Sequence, residues 1–347
     1  MKKHFIASML TAVSLPLMAA EETANIDGWP KGVVEIKYLS SADNTMQPAL
    51  YYDPGKDEAV PLLVALHTWS GNYKQKEAAY AKWCIKKGWV MIHPDFRGPN
   101  NSPEAMGSEL AVKDISSAVD YAKQHSKIDP ERIYVIGASG GGYATLLMAG
   151  RAKDIWAGAS AWVPIYDLKQ WHKECVLSKR SYDKTMEKSC GGAPGVSLEV
   201  DKQYTVRSAC TYLQNASGIP IDINTGINDG HKGSVPVSQS LKAFNALARI
   251  EDKLSDADIT FMTDNAQIPD KLKMSVNDPL YSNSKRPVLF RRVSGNVRIT
   301  VFDGGHDIIQ EAGLAWLEKQ KKGTAPEWNI AAQNKAVLKD ANVESGK

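Results

Sequence analysis

The sequence predicts an α/β protein with a mostly parallel central sheet flanked by helices. Short apolar runs alternate with stretches of helical period along most of its 347 residues, the signature of a layered sheet. Two of those runs, LLVAL at 62–66 and WVMI at 89–92, carry no polar residue, as a strand covered on both faces requires. Strand–helix–strand repeats place successive strands in parallel through right-handed crossovers.

The elements follow in order. Residues 33–39 and 49–52 read as two opening strands joined by a polar turn, and 62–66 as the first buried strand. A helix over 73–87 ends at Gly88, and 89–92 is the next strand. PDFRGPNNSPEAMG is too rich in Pro, Gly and Asn for regular structure. Leu110, Val112, Ile115, Ala118, Val119 and Ala122 mark an amphipathic helix over 108–125. IYVI (133–136) is a strand, followed by GASGGG and a helix of small residues, and 157–163 is a further strand. Residues 164–215 break the rhythm and read as a cap-like insertion. The strand at 221–225, the helix at 237–250, the strand at 297–302 and the helix at 308–319 complete the series, with a second irregular insertion at 251–295. One domain is therefore expected over 28–323, followed by a tail at 324–347.

Residues 1–20 stand apart from this pattern. Lys2 and Lys3, an apolar stretch from Phe5 to Met18 and the small pair Ala19-Ala20 have the layout of a cleaved signal peptide, and the stretch is too short for a membrane span. A periplasmic or secreted protein without a membrane anchor is expected. The formal charge of +3 includes both leader lysines, so the mature chain is close to neutral. That, with no basic run interleaved with aromatics, argues against a nucleic-acid partner. An exported chain with four cysteines permits disulfides. Cys175 and Cys190 flank a polar segment and are the expected pair, whereas Cys84 and Cys210 are left without an assigned partner. The cysteines lack zinc-site spacing and His-Glu-x-x-His does not occur, so no metal or organic cofactor is expected.

Gly137-Ala138-Ser139-Gly140-Gly141 fits Gly-x-Ser-x-Gly between an expected strand and an expected helix, the context in which this motif presents a nucleophilic serine. Small neighbours let strand and helix approach, and the helix N-terminus supplies amide N–H groups beside the hydroxyl. A serine needs a base and an orienting acid, here expected in the order Ser, Asp, His. His4 falls in the leader, His125 at a helix end and His172 in the cap, while His67, His93 and His231 lie near strand ends. His306, in a glycine-containing loop just past the final strand, is the expected base. Asp229 lies four residues past the preceding strand and is the expected acid. Asp222 is inside that strand and Asp303 is too near His306 along the chain.

GASGGG, GINDGHKGSVPVSQS and the late GGH resemble the α/β-hydrolase domain of the prolyl oligopeptidase family. The matching positions are Gly226, Asp229, Val235, Pro236, Gln239 and Ser240, together with Arg97, Gly98, Gly107 and Asp114 upstream. The resemblance implies the α/β-hydrolase fold over roughly 60–310. Family peptidases carry a large β-propeller before this domain. Barely forty residues separate Glu21 from LLVAL, so the expectation is a stand-alone exported esterase similar to acetyl xylan and other carbohydrate esterases. The resemblance also implies an oxyanion hole made by the N–H of Gly140 and that of Trp69, with Thr68 as the alternative to Trp69. Trp162, Tyr166 and Trp171 are candidate walls for a sugar or aryl substrate, with core packing as their other reading. The expected activity is hydrolysis of a small-molecule or oligosaccharide ester through an acyl-enzyme at Ser139. A peptidase acting on short peptides is the second reading, and a non-catalytic binding protein the third.

Overall fold

A computed structural model describes residues 26–328. The expected leader at 1–20 and residues 329–347 of the expected tail lie outside the described residues. The chain opens with an antiparallel pair, β1 (Val34–Leu39) and β2 (Met46–Tyr52). Then come β3 (Val60–Leu66), α1 (Ala78–Lys87), β4 (Val90–Pro94), α2 (Glu109–His125) and β5 (Ile128–Ala138). After β5, α3 (Gly140–Arg151) leads to β6 (Gly158–Trp162). The first insertion folds into α4 (Leu168–Leu177), α5 (Tyr182–Cys190) and α6 (Leu198–Arg207). The sheet resumes with β7 (Ile221–Gly226) and α7 (Val237–Leu247). The second insertion holds α8 (Asp256–Asn265), α9 (Pro279–Asn283) and β8 (Val288–Ser294), before β9 (Val297–Phe302) and α10 (Gln310–Leu317) close the fold.

The strands form one sheet in the order β1-β2-β4-β3-β5-β6-β7-β9-β8. From β4 to β9 every neighbour is parallel, and the antiparallel pairs sit at the two edges. Side chains alternate across the sheet as the pleat demands. Leu62, Val64 and Leu66 enter the core beneath α2, α3 and α7, while Leu63 and Ala65 enter the core beneath α1 and α10. Burial on both faces is the reason LLVAL shows no polar position.

Local signals set the helix ends. The Ser108 hydroxyl accepts from the Ala111 N–H and starts α2, a cap worth about 1 kcal/mol. Asp167 caps α4 by accepting from the N–H groups of Lys169 and Gln170. Gly88 ends α1 in the left-handed region at φ 65°, where a side chain would be strained.

Three expectations need correction. Residues 251–295 are not irregular, because VLFRRVS forms the edge strand β8, antiparallel to β9. Its two arginines interrupt the apolar alternation, and as an edge strand it is only partly covered. The helix expected over 237–250 stops at Leu247. Cys175 and Cys190 are not bonded: all four cysteines are free thiols. Both sit in buried positions of α4 and α5, where apolar packing accounts for them.

Candidate active site

Ligands of open α/β sheets bind beyond the carboxyl ends of the parallel strands, and the expected catalytic residues follow β5, β7 and β9 there. Ser139 caps α3 with φ 58° and ψ −120°. A non-glycine residue held in that region is strained, and such strain clusters at functional positions. The Ser139 N–H donates to the Trp162 carbonyl at 2.9 Å, and its carbonyl accepts from Tyr143. Its hydroxyl makes no capping bond and stays half-buried. The helix that follows begins with three buried glycines, at which a Cβ would strike the backbone of Trp69, Leu66 and Trp162 in turn.

Asp229 and His306 are joined directly. His306 Nδ1 donates to Asp229 Oδ2 at 2.7 Å, with the carboxylate fully buried and the imidazole 23% exposed. Asp229 Oδ1 accepts from the N–H groups of Gly230 at 2.9 Å and Val235 at 3.1 Å. The carboxylate is thus held at both oxygens, leaving the imidazole one orientation. Gly233 closes this loop at a point where no side chain fits: a Cβ there would lie 2.0 Å from Asp229 Oδ1 and 2.5 Å from His306 Cβ. His306 Nε2 faces the Ser234 hydroxyl at 3.4 Å. Among the described residues, Ser139 Oγ has no hydrogen bond to His306 in this state, and such contacts are often long without substrate.

The loop after β3 is pinned on three sides. The Thr68 N–H and hydroxyl both donate to Gln75 Oε1, at 3.0 and 2.8 Å. The Trp69 carbonyl accepts from the Asn100 N–H at 2.9 Å. The Trp69 indole N–H donates to Thr185 Oγ1 of α5 at 3.0 Å. Thr68 has therefore spent its N–H, whereas those of Trp69 and Gly140 have no protein acceptor among the described residues. The two are neighbours, since a Cβ on Gly140 would lie 2.4 Å from Trp69 N. Paired donors at this place suit an oxyanion.

Of the two readings open for the three aromatics, substrate wall or core packing, their burial favours core packing. Trp162 is fully buried, with its N–H on Ser160 Oγ at 2.9 Å and its ring against Tyr281 and Phe302. It belongs to the core. Tyr166 packs at the core margin, and burial raises its hydroxyl to a pKa of about 12. Trp171 is buried too, between Trp69 and Tyr182, and donates to the Ser234 carbonyl at 2.9 Å. Beside His306 opens a cavity of about 490 Å³ lined also by Asn228, Lys232, Lys285, Arg286 and Asp303. His67 and His93 are fully buried and His231 is turned to the Thr263 carbonyl. Gln75, Asn100, Gly233 and Ser234 escaped the sequence reading, because their roles depend on loops that meet only in the fold.

The sequence pattern of the prolyl oligopeptidase family matches residues 76–265. The chain belongs to this family. The matched span takes in Ser139 and Asp229. Relatives include poly(3-hydroxyalkanoate) depolymerase C of Paucimonas lemoignei, 27% identical over 37% of this chain and 33% of that one. Acetylxylan esterase of Coprinopsis cinerea is 27% identical over 29% of this chain and 30% of that one. The matched stretches span about a third of these relatives' length. Among solved structures, an acylaminoacyl peptidase of Pyrococcus horikoshii superposes with a TM-score of 0.56 at 14% identity, over 88% of this chain and 44% of that one. It shares the fold. No helix among the described residues is long and apolar enough to cross a membrane.

Proposed function

We propose that the protein is an exported esterase that cleaves a carboxylic ester, on a carbohydrate, through an acyl-enzyme. Ser139 attacks the ester carbonyl, and His306 takes the hydroxyl proton and returns it to the leaving alcohol. Asp229 keeps the His306 proton on Nδ1, so that Nε2 is the free base. The N–H groups of Trp69 and Gly140 stabilise the negative oxygen of the tetrahedral intermediate, and losing one such donor costs ~10²–10³ in rate. Water then attacks the acyl-enzyme with His306 again as base. The observation that carries this reading is the 2.7 Å hydrogen bond from His306 to an Asp229 carboxylate fully buried and held at both oxygens.

Ester over peptide is supported by relatives named as an acetylxylan esterase, a feruloyl esterase and a polyester depolymerase. Export is supported by the leader-like composition of residues 1–20. The peptidase reading draws on the family and on relatives named as acylamino-acid-releasing enzymes. An amide asks more of the acid step, because its amine must be protonated as it leaves. Comparing kcat/KM on acetylated or feruloylated oligosaccharides with that on acylaminoacyl and prolyl anilides separates the two. Preferential turnover of sugar esters is expected, and efficient anilide cleavage with sugar esters untouched would install the peptidase instead.

A further inference from the structure

We propose that the cap carries a binding site for a divalent transition metal, with zinc as the fitting ion, formed by His172, Asp183 and Glu187. The imidazole and the two carboxylates come from adjacent helices, α4 and α5, and offer one ligand atom each within 4.8 Å of one another. His172 Nε2 already lies 3.0 Å from Glu187 Oε1. Ligand atoms about 3.3 Å apart around a tetrahedral zinc are the target, so the third has only a short distance to close. One imidazole with two carboxylates suits zinc, and water would fill the remaining position.

Burial supplies the second argument. His172 and Asp183 are 7% and 8% exposed. Asp183 has no hydrogen bond among the described residues, and its one charged partner is Lys184 Nζ at 3.5 Å. The Asp183 side chain is 12% exposed, and a carboxylate largely withdrawn from water is costly unless a cation compensates it. Lys184 fills that role loosely, since its ammonium also touches both oxygens of Glu187 at 3.0–3.1 Å while the side chain remains 71% exposed. It marks where positive charge is wanted, and it can swing into water when a dication arrives.

The position gives such an ion something to do. Its ligands flank Trp171 in α4 and Tyr182 in α5, which stack on each other, and Thr185 in α5 holds the Trp69 indole. A metal bridging α4 and α5 would clamp the cap onto the loop that presents Trp69. The site itself does not depend on which ester or amide the enzyme cleaves.

Titration of the full-length, chelator-stripped protein with Zn²⁺ tests this, read by calorimetry and by the visible bands of Co²⁺ in its place. One equivalent is expected to bind and to raise the melting temperature. His172→Gln is expected to weaken binding by at least ~100-fold, more than the loss of an outer-shell partner costs. Lys184→Ala, which alters only an exposed side chain, is expected to tighten it several-fold by removing the competing ammonium. Zinc affinity equal in wild type, His172→Gln and Lys184→Ala, or no stoichiometric binding to wild type or Lys184→Ala, would overturn the proposal.

Discussion

Trp171 donates its indole N–H to the Ser234 carbonyl at 2.9 Å while its ring meets Trp69 edge-on at 4.6 Å. One cap side chain therefore touches the loop that wraps Asp229 and the loop that carries Trp69, the proposed oxyanion donor. Neither contact reaches substrate, so Trp171 acts as a positioning residue. Trp171→Phe keeps the aromatic packing and removes the hydrogen bond, whose net worth is about 0.5–1.5 kcal/mol. Steady-state kinetics on a p-nitrophenyl ester are expected to show kcat lower by ~3–10-fold with KM little changed.

Asp229 is bound by two backbone N–H groups as well as by His306. Asp229→Asn keeps the shape of the loop but turns an acceptor into a donor and releases the tautomer of His306. In a triad of this kind the loss is ~10⁴ in kcat. The variant is expected to fold normally by circular dichroism and to bind ester with near-unchanged affinity. Wild-type turnover in this variant would remove Asp229 from the mechanism.

Much of this was legible from the sequence, for definite reasons. LLVAL is buried on both faces, so its composition alone marks a central strand. Ser139 sits in a turn whose steric demands leave a run of glycines, and His306 is the one histidine beyond the last strand. Trp162 and Trp171 resisted reading because an aromatic beside a site and an aromatic in the core look the same in sequence. Trp162 follows Ala161 into the sheet core, where Ser160 satisfies its N–H. β8 was hidden by Arg291 and Arg292, which an edge strand tolerates because it is only partly covered.

Acid stability follows from buried imidazoles. Burial, together with the neighbouring His67, lowers the His93 pKa to about 3, and burial lowers that of His67 as well. Both stay neutral in the fold but take up protons in the unfolded chain below its histidine pKa of ~6.5. The unfolded state then binds more protons, so stability is complete above that value and declines as pH falls toward 3. His93→Phe is expected to reduce the slope of unfolding free energy against pH by up to about 1.4 kcal/mol per unit in that window. Urea titrations at pH 7.5 and pH 5 measure it. An unaltered slope would contradict the assignment.

The thiols respond to burial in the opposite sense. The pKa values of Cys175 and Cys190 are pushed up to about 12, so little thiolate exists at neutral pH. Native alkylation at pH 8 is expected to be slow at both. In denaturant without reductant, all four cysteines are expected to react fully. A linked Cys175–Cys190 peptide in a non-reducing map would contradict this.

Between β7 and β9, Arg298 and Asp222 form an ion pair at 2.7 Å with both side chains buried. Breaking such a pair from one side costs about 3–5 kcal/mol, because the other charge is left without compensation. Asp222→Asn is expected to lower unfolding free energy by that amount in a denaturant titration, with the activity of the surviving folded fraction retained.

The central claim is that Ser139 is the nucleophile, and covalent trapping tests it most directly. After reaction with a fluorophosphonate ester, intact-protein mass spectrometry is expected to show one adduct per chain, and peptide mapping to locate it on Ser139. Ester hydrolysis is expected to cease in step with labelling, and Ser139→Ala to be folded, unlabelled and inactive. An adduct on another residue, or a Ser139→Ala variant that still hydrolyses ester at the wild-type rate, would contradict the account.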